Sequence, residues 1–485
     1  STIPQVVGTT FVLTAQDLVG QLDTRAAFRP ARNGLNHDFE LRQDDGGQWR
    51  IGRPPESVLI NRALFENFYT TYNLYFYDPA FLRLVPDPIF LPYSSASTQL
   101  AGALMQGLIL GPTDFLRASV RNAVPAGSQL QTQSVVAVSG VAELQLGDEV
   151  LALNDDQRKQ LVAQIGWTLN QVDKLIGLRI SDGALQVSGV SVGAGADSYV
   201  PIDMAQAIRR PVPELVTTLY GLRGDAMVLV DELDNRVESR PVPGPLGAGR
   251  YELTAVGVSE LADQVAAVTA KNELLVGALG GQLKRVLSGV GPLLAPQVIG
   301  NETWTISQRD GVAVVWVVRD DKAVRVGSSA LPDGKIRAFR LAPDGVRMAV
   351  VRTVQGGSRL GLVAIDRGSD ALVLGSLRPI EVVSTDDAEA PLVVVDVDWQ
   401  GSTTLMVLAG ADLKASIEPF SVSQDGYAIT KIGPSNTWGA AMVTASPTIP
   451  TVAMIVGSKN TSYQFASQSR WDFFSGELRF LTYPG

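Results

Sequence analysis

The chain has 485 residues, 45% of them hydrophobic and 18% charged, so it can bury several cores, and two or three domains are expected. With 40 Lys and Arg against 49 Asp and Glu the net charge is −9, and the basic residues form no run longer than two, so no cationic surface is expected and nucleic acid is excluded as a partner. Cysteine is absent, which excludes thiol chemistry, disulfides and Cys-type metal sites.

No stretch reaches the roughly 18 consecutive apolar residues of a membrane helix, and Ser1 to Asp23 carries neither a basic n-region nor an apolar h-region. Phe11 to Leu13 and Phe39 to Ile51 read as two strands of an incomplete sheet, the second ending in Gly46-Gly47-Gln48-Trp49-Arg50-Ile51. Residues 1–60 are therefore expected to be the remnant of an N-terminal α+β domain.

From 61 to 190 strands alternate with helices, the grammar of a small α/β domain. Tyr72 to Tyr77 and Leu82 to Val85 are strand-like around Asp78-Pro79. Ser97 opens a helix whose Leu100, Leu104 and Leu108 share a face, and Gly111-Pro112 ends it. Ser134 to Val138 and Val141 to Leu146 form a strand pair turning at Ser139-Gly140. Asn154 and Gln157 spell a capping box before the apolar face Leu161, Ile165 and Leu169, and strand Lys174 to Ile180 closes the unit at Ser181-Asp182-Gly183. Both stripes are of the width that packs on a sheet, so they are read as core.

Residues 191–485 read as strands throughout. Leu341-Ala342-Pro343-Asp344-Gly345-Val346-Arg347-Met348-Ala349-Val350-Val351 is an apolar strand, a Pro-Asp-Gly turn and a second apolar strand, the inner hairpin of a β-propeller blade. Weaker copies start at Ser259, near Gln297, at Asp398 and at Ser446, 38 to 56 residues apart, about the length of a four-stranded blade. A propeller of about six blades is expected, five being the alternative, with Val200 to Pro245 an irregular first blade. Val192 to Asp197 and Gly244 to Gly249 are glycine-rich but lack the βαβ setting of a phosphate loop, and read as a linker and a connection between blades.

In this order, Leu104 to Leu110 with Gly111-Pro112, Val138 to Leu144, Gln160 to Leu169 and the strand ending at Asp182-Gly183 resemble the GerMN (sporulation and germination) domain. That domain, preceded by a fragment ending Gly-Gly-Gln-Trp-Arg-Ile and followed by a degenerate propeller, resembles the actinobacterial lipoprotein LpqB family over essentially the whole chain. The resemblance implies a secreted protein, lipidated on an N-terminal cysteine outside this chain and held on the outer face of the cytoplasmic membrane. It further implies association with the extracytoplasmic domain of the sensor histidine kinase of the MtrA–MtrB two-component system. A single lipid chain holds a protein only marginally unless other contacts assist.

Residue chemistry points away from catalysis. His37 is the lone histidine, so neither a Ser-His-Asp triad nor a three-ligand zinc site can be assembled around it within this chain. Asp44-Asp45, Asp155-Asp156, Asp320-Asp321 and Asp386-Asp387 could serve a carboxylate-dependent hydrolase, but Asp155-Asp156 suits a helix first turn and the others suit turns or loops. Asp344 is expected to bond its own turn rather than a metal. No catalytic residue, cofactor or metal ligand is therefore assigned. Among Trp304, Trp316, Trp399, Trp438 and Trp471, strand tryptophans of the propeller are expected to fill the space between blades. Trp438 and Trp471, with Arg470, lie in segments that read as loops and are the candidate partner-binding residues. The function expected is a non-enzymatic accessory of a sensor kinase; a binding module for cell-wall fragments is the alternative.

Overall fold

The computed structural model describes residues 5–485 except 8–9, 16–18, 31–34, 53–57, 94–96, 132–134, 139, 182–184, 186, 188–198, 213–215, 234–235, 329–330, 332–333, 369–370, 385–389, 414–415, 434–438, 450–451 and 468–469. Two compact units result, one of residues 1–73 and 88–96, the other of 74–87 and 97–485. Strands Tyr69–Tyr77 and Leu84–Pro92, which pair with each other, run through both.

In the first unit Gln5–Val7, Thr10–Ala15, Leu35–Gln43 and Trp49–Ile51 make an antiparallel sheet with Phe11 opposite Phe39. Its last hairpin turns where Asp44 Oδ1 accepts from the Gly46 and Gln48 amides at 3.0 and 2.9 Å and Gly47 takes φ +76°. Helix α1 (Arg62–Phe68) is capped by Asn61, and Phe65 stacks on Tyr69 at 4.8 Å and meets Phe90 at 5.3 Å.

The second unit begins with the GerMN-like body. Helix α2 (Ser97–Leu110) buries Leu100, Leu104 and Leu108, and helix α3 (Asp155–Leu169) buries Leu161, Ile165 and Leu169. Both hydrogen bonds of the Asn154–Gln157 capping box form, each 3.0 Å long. Val136–Val138 and Val141–Leu144 pair antiparallel, and Val141–Leu144 runs parallel to Gly177–Ile180 across the α3 crossover. The last strand starts three residues later than its apolar pattern predicts, because Lys174 takes φ +62° and turns the chain. Asp182 and Gly183 lie outside the described residues.

Residues 199–208 extend this body. Val200–Pro201 pairs with Gly177–Leu178, and helix α4 (Ile202–Ile208) lies so close to α3 that a Cβ on Gly166 would be 2.6 Å from that of Ala205. Val200 to Ile208 thus belong to this body rather than to a first blade.

Six blades follow among the described residues, five of them four-stranded and the fourth six-stranded, their strands lettered A to D from the centre outward. Blade 1 takes Leu219–Arg223, Ala226–Leu233 and Arg236–Pro241 as its B, C and D strands. Its A strand is Phe480–Thr482, so the C-terminal residues close the ring on Tyr220 to Leu222. The A strands of blades 2 to 6 are Leu253–Val258, Gln297–Ile299, Ile336–Leu341, Val393–Gln400 and Ala440–Ala445. In blade 4 both Val373–Leu374 and Arg378–Ile380 pair with the C strand Gly357–Asp366. The short helix Gly244–Gly247 lies between blades 1 and 2, with Leu246 buried.

Each repeat read from the sequence is an A–B turn, so these turns and the C–D turns share one end of the ring, while the B–C turns and the blade-to-blade connections share the other. Trp304 and Trp399, 0% and 2% exposed, sit in the clusters flanking blade 4. Burying such a ring contributes about 3 kcal/mol or more.

Candidate interaction surface

Of the three candidate binding residues, Trp438 lies outside the described residues. Trp471 belongs to the outer strand of blade 6, Arg470–Ser475, rather than to a loop, and is 6% exposed. Its Nε1 donates to the Ile432 carbonyl at 2.9 Å and its ring meets Phe465 edge-on at 5.3 Å, which joins blades 5 and 6. Arg470 is exposed and pairs with Asp472 at 2.8 Å. Trp304 and Trp399 are buried, and Trp316, whose Nε1 donates to Ser307 Oγ at 2.8 Å, is the described propeller tryptophan that keeps a partly open face.

A different set of side chains was not visible as a motif: those joining the GerMN-like body to the A–B end of the propeller, all within the second unit. Arg83 follows the tight turn at Asp78, whose Oδ1 accepts from the Leu82 and Arg83 amides at 2.7 and 2.8 Å. Its Nη2 lies 2.7 and 2.8 Å from the two oxygens of Glu260 in the A–B turn of blade 2, and its Nη1 donates at 2.9 Å to the Pro343 carbonyl in that of blade 4. Burial raises the Glu260 carboxyl above its ordinary value, against the pull of Arg83.

Beside this pair Asp87, 1% exposed, accepts from the Thr113 amide at 2.7 Å and its hydroxyl at 2.8 Å. Burial still pushes Asp87 up to about 6, although those bonds and the charges of Arg378 and Arg347 oppose it. Arg378 stands 4.1 Å over the Phe115 ring and donates to the Gln424 carbonyl at 2.7 Å, and burial lowers its pKa to about 10. Arg347, fully buried, pairs with Asp344 and Gln424 and donates to the Ser402 carbonyl at 2.7 Å. Asp344 also accepts from the Val346 amide at 2.8 Å, so its carboxylate is bonded to its own turn and to Arg347.

The acidic groups nearest the ring axis are equally engaged. In the Asp396-Val397-Asp398-Trp399 run, Asp396 Oδ2 accepts from the Val443 amide at 2.9 Å, and Asp398 Oδ2 from the Thr444 hydroxyl at 2.9 Å and the Ala445 amide at 3.0 Å. Two carboxylates thus bond the A strand of blade 6 to that of blade 5, and burial pushes Asp396 up to about 6. At the axial mouth a cavity of about 20 Å³, lined by Glu260, Gln297, Asp398 and Pro484 among others, has room for about one water molecule. Asp155 and Asp156 occupy the first turn of α3, and Asp320 and Asp321 form a turn with positive φ. Asp386 and Asp387 lie outside the described residues, and His37 lies on strand Leu35–Gln43 opposite Leu13.

The chain is similar in sequence to known proteins over most of its length. The pattern described as "Lipoprotein LpqB beta-propeller domain" matches residues 228–474, that of "Sporulation and spore germination" matches 73–187, and that of "Lipoprotein LpqB, N-terminal domain" matches 4–66. Lipoprotein LpqB of Cutibacterium acnes is 29% identical over 474 residues, 94% of this chain and 78% of the relative. That of Thermobifida fusca is 26% identical over 467 residues, 85% and 70% of the two chains. Among solved structures, TolB from Acinetobacter baumannii is 11% identical with a TM-score of 0.39, covering 56% of this chain and 68% of that one. A chain of the nidogen/laminin complex also scores 0.39 at 9% identity, covering 55% of this chain and 98% of that one.

Proposed function

The chain belongs to the lipoprotein LpqB family, and from that membership we propose that it is the working portion of a lipid-anchored protein on the outer face of the cytoplasmic membrane. There it acts without catalysis, as an accessory that binds the extracytoplasmic domain of an MtrB-type sensor histidine kinase and modulates its signalling in cell-envelope homeostasis. The lipid anchor is supported by the relatives' name; no helix among the described residues is long and apolar enough to cross a membrane.

The observation that carries this reading is the joint itself. Arg83, Glu260, Asp87, Arg347 and Asp344 are engaged with one another, with the Thr113 and Gln424 side chains or with backbone groups, which braces the GerMN-like body against this end of the propeller. Calorimetric titration of the whole chain with the purified kinase domain tests the proposal, with soluble muropeptides as the second titrant. Saturable one-to-one binding to the kinase domain is expected. Heat with muropeptides alone would replace the accessory role by wall-fragment binding.

A further inference from the structure

The basic residues are scattered along the sequence, yet the fold collects six of them at the end of the ring opposite the joint. Strand direction fixes the grouping. In blade 3 the B strand ends and the D strand ends there, with Arg309 and Arg325; in blade 4 the A strand starts there with Lys335 and Arg337, the B strand ends with Arg352 and the C strand starts with Arg359. Arg309, Arg325, Lys335 and Arg337 are exposed, and Arg352 and Arg359 are half-buried. The described carboxylates at this end of the two blades are Asp310 and Glu381, while Asp333, Asp386, Asp387 and Glu389 of the connections lie outside the described residues; among the described residues none of the six cations is in an ion pair. Arg309 and Arg359 donate to backbone carbonyls, which orients them without neutralising them.

Two features set this cluster apart from an ordinary solvated face. Arg352 and Arg359 are directly opposite in the ladder, a like-charge pairing that costs stability and gains the sheet nothing. Arg337 is the extra residue of a bulge between Ile336 and Ala338, which turns it outward while both neighbours are buried. The same bulge recurs in blades 2, 5 and 6, where the extra residue is Thr254, Val395 and Ala441, so the bulge belongs to the fold and the charge to blade 4. Trp316, opposite Arg325 in blade 3, supplies a partly open aromatic beside the guanidinium groups. Arg and Trp together are the side chains on which protein interfaces concentrate their affinity.

We propose that this end of blades 3 and 4 is a docking surface for an acidic polypeptide segment, which, on the reading above, belongs to the kinase partner. Five of the six cations are arginines, whose planar forks take carboxylates in pairs, and on a chain of net charge −9 such a cluster steers an acidic segment to one place.

The test uses the whole chain and labelled poly-L-glutamate in fluorescence anisotropy at low salt, with R337E/R352E against R240E/K322E, an equal change of net charge at other exposed positions. R337E/R352E, melting like the parent, is expected to weaken binding by about tenfold or more and to flatten its salt dependence, and the control by no more than about twofold. Equal weakening by both variants, or by neither, overturns the surface. Tighter binding to phosphatidylglycerol vesicles than to poly-glutamate, lost in R337E/R352E, overturns the polypeptide in favour of a membrane. Repeating the pair with the kinase domain separates the two readings. If no variant, nor the parent, binds that domain while poly-glutamate behaves as expected, the kinase assignment fails and the acidic-segment surface stands. If R337E/R352E loses poly-glutamate and keeps the kinase, the kinase docks elsewhere.

Discussion

Replacing Arg83 by methionine keeps the stem and removes the charge that faces Glu260. The pair is held with side chains only 16% and 11% exposed, and the Glu260 carboxyl already sits above its ordinary value because burial outweighs the arginine's pull. The single variant strands that carboxylate in the joint and deprives the Pro343 carbonyl of its donor, a loss of about 3–5 kcal/mol. For a cooperative unit of about 400 residues, unfolding entropy of roughly 0.8 kcal/mol per kelvin converts 4 kcal/mol into a fall of about 5 °C in the melting temperature. R83M/E260M removes both charges, and the cost of desolvating them with it, so it should melt within about 1 °C of the parent or above it. Scanning calorimetry of the four members of the cycle reads the coupling directly. A single-variant shift below about 1 °C would refute the reasoning, for it would mean that the pair behaves as a solvent-screened surface bridge.

Asp87 predicts a pH dependence of definite sign. Its folded pKa of about 6 lies above the unfolded value near 3.8, so the native state binds the proton more tightly, and the contribution of Asp87 to stability is greatest below about pH 4 and is lost as pH rises through about 6. About two units correspond to roughly 3 kcal/mol, and Asp396, also near 6, contributes a slope of the same sign. D87N should therefore make the urea midpoint fall less steeply between pH 4 and 6.5 than the parent's; parallel curves would sink the assignment. At the ring seam, Leu481 is fully buried on Gly221, and L481D should cost more than about 4 kcal/mol and open the propeller to limited proteolysis. A variant as protease-resistant as the parent would show that the C-terminal strand does not hold the ring shut.

What was legible in the sequence is what local chemistry determines. The Pro-Asp-Gly turn at Asp344 and its weaker copies each proved to be an A–B turn, because a tight hairpin needs particular residues at particular offsets and a propeller repeats the need. The capping box at Asn154 and the leucine faces of α2 and α3 were legible for the same reason. The closing strand was not: Phe480–Thr482 pairs with residues some 260 positions earlier, and a three-residue strand has no signature of its own partner. The polar stretch Ser467 to Asp472 spells a loop around Trp471, whereas the outermost strand of a blade has water on one side and tolerates that composition. Neither the joint nor the cationic end could be read from runs of charge, since Arg83, Asp87 and Arg378, like Arg337, Arg352 and Arg359, meet only through the topology.

The two ends of the ring therefore do different physical work. At the joint, desolvation of Asp87, Glu260 and Arg378 offsets much of what their partners return, so these groups are a poor source of net stability. They are a good source of register: Arg83 must span Glu260 and the Pro343 carbonyl at once, and Arg378 must lie over Phe115 while reaching the Gln424 carbonyl. At the opposite end Arg309, Arg325, Arg337, Arg352 and Arg359 form no ion pair among the described residues, so their charge is not spent on register.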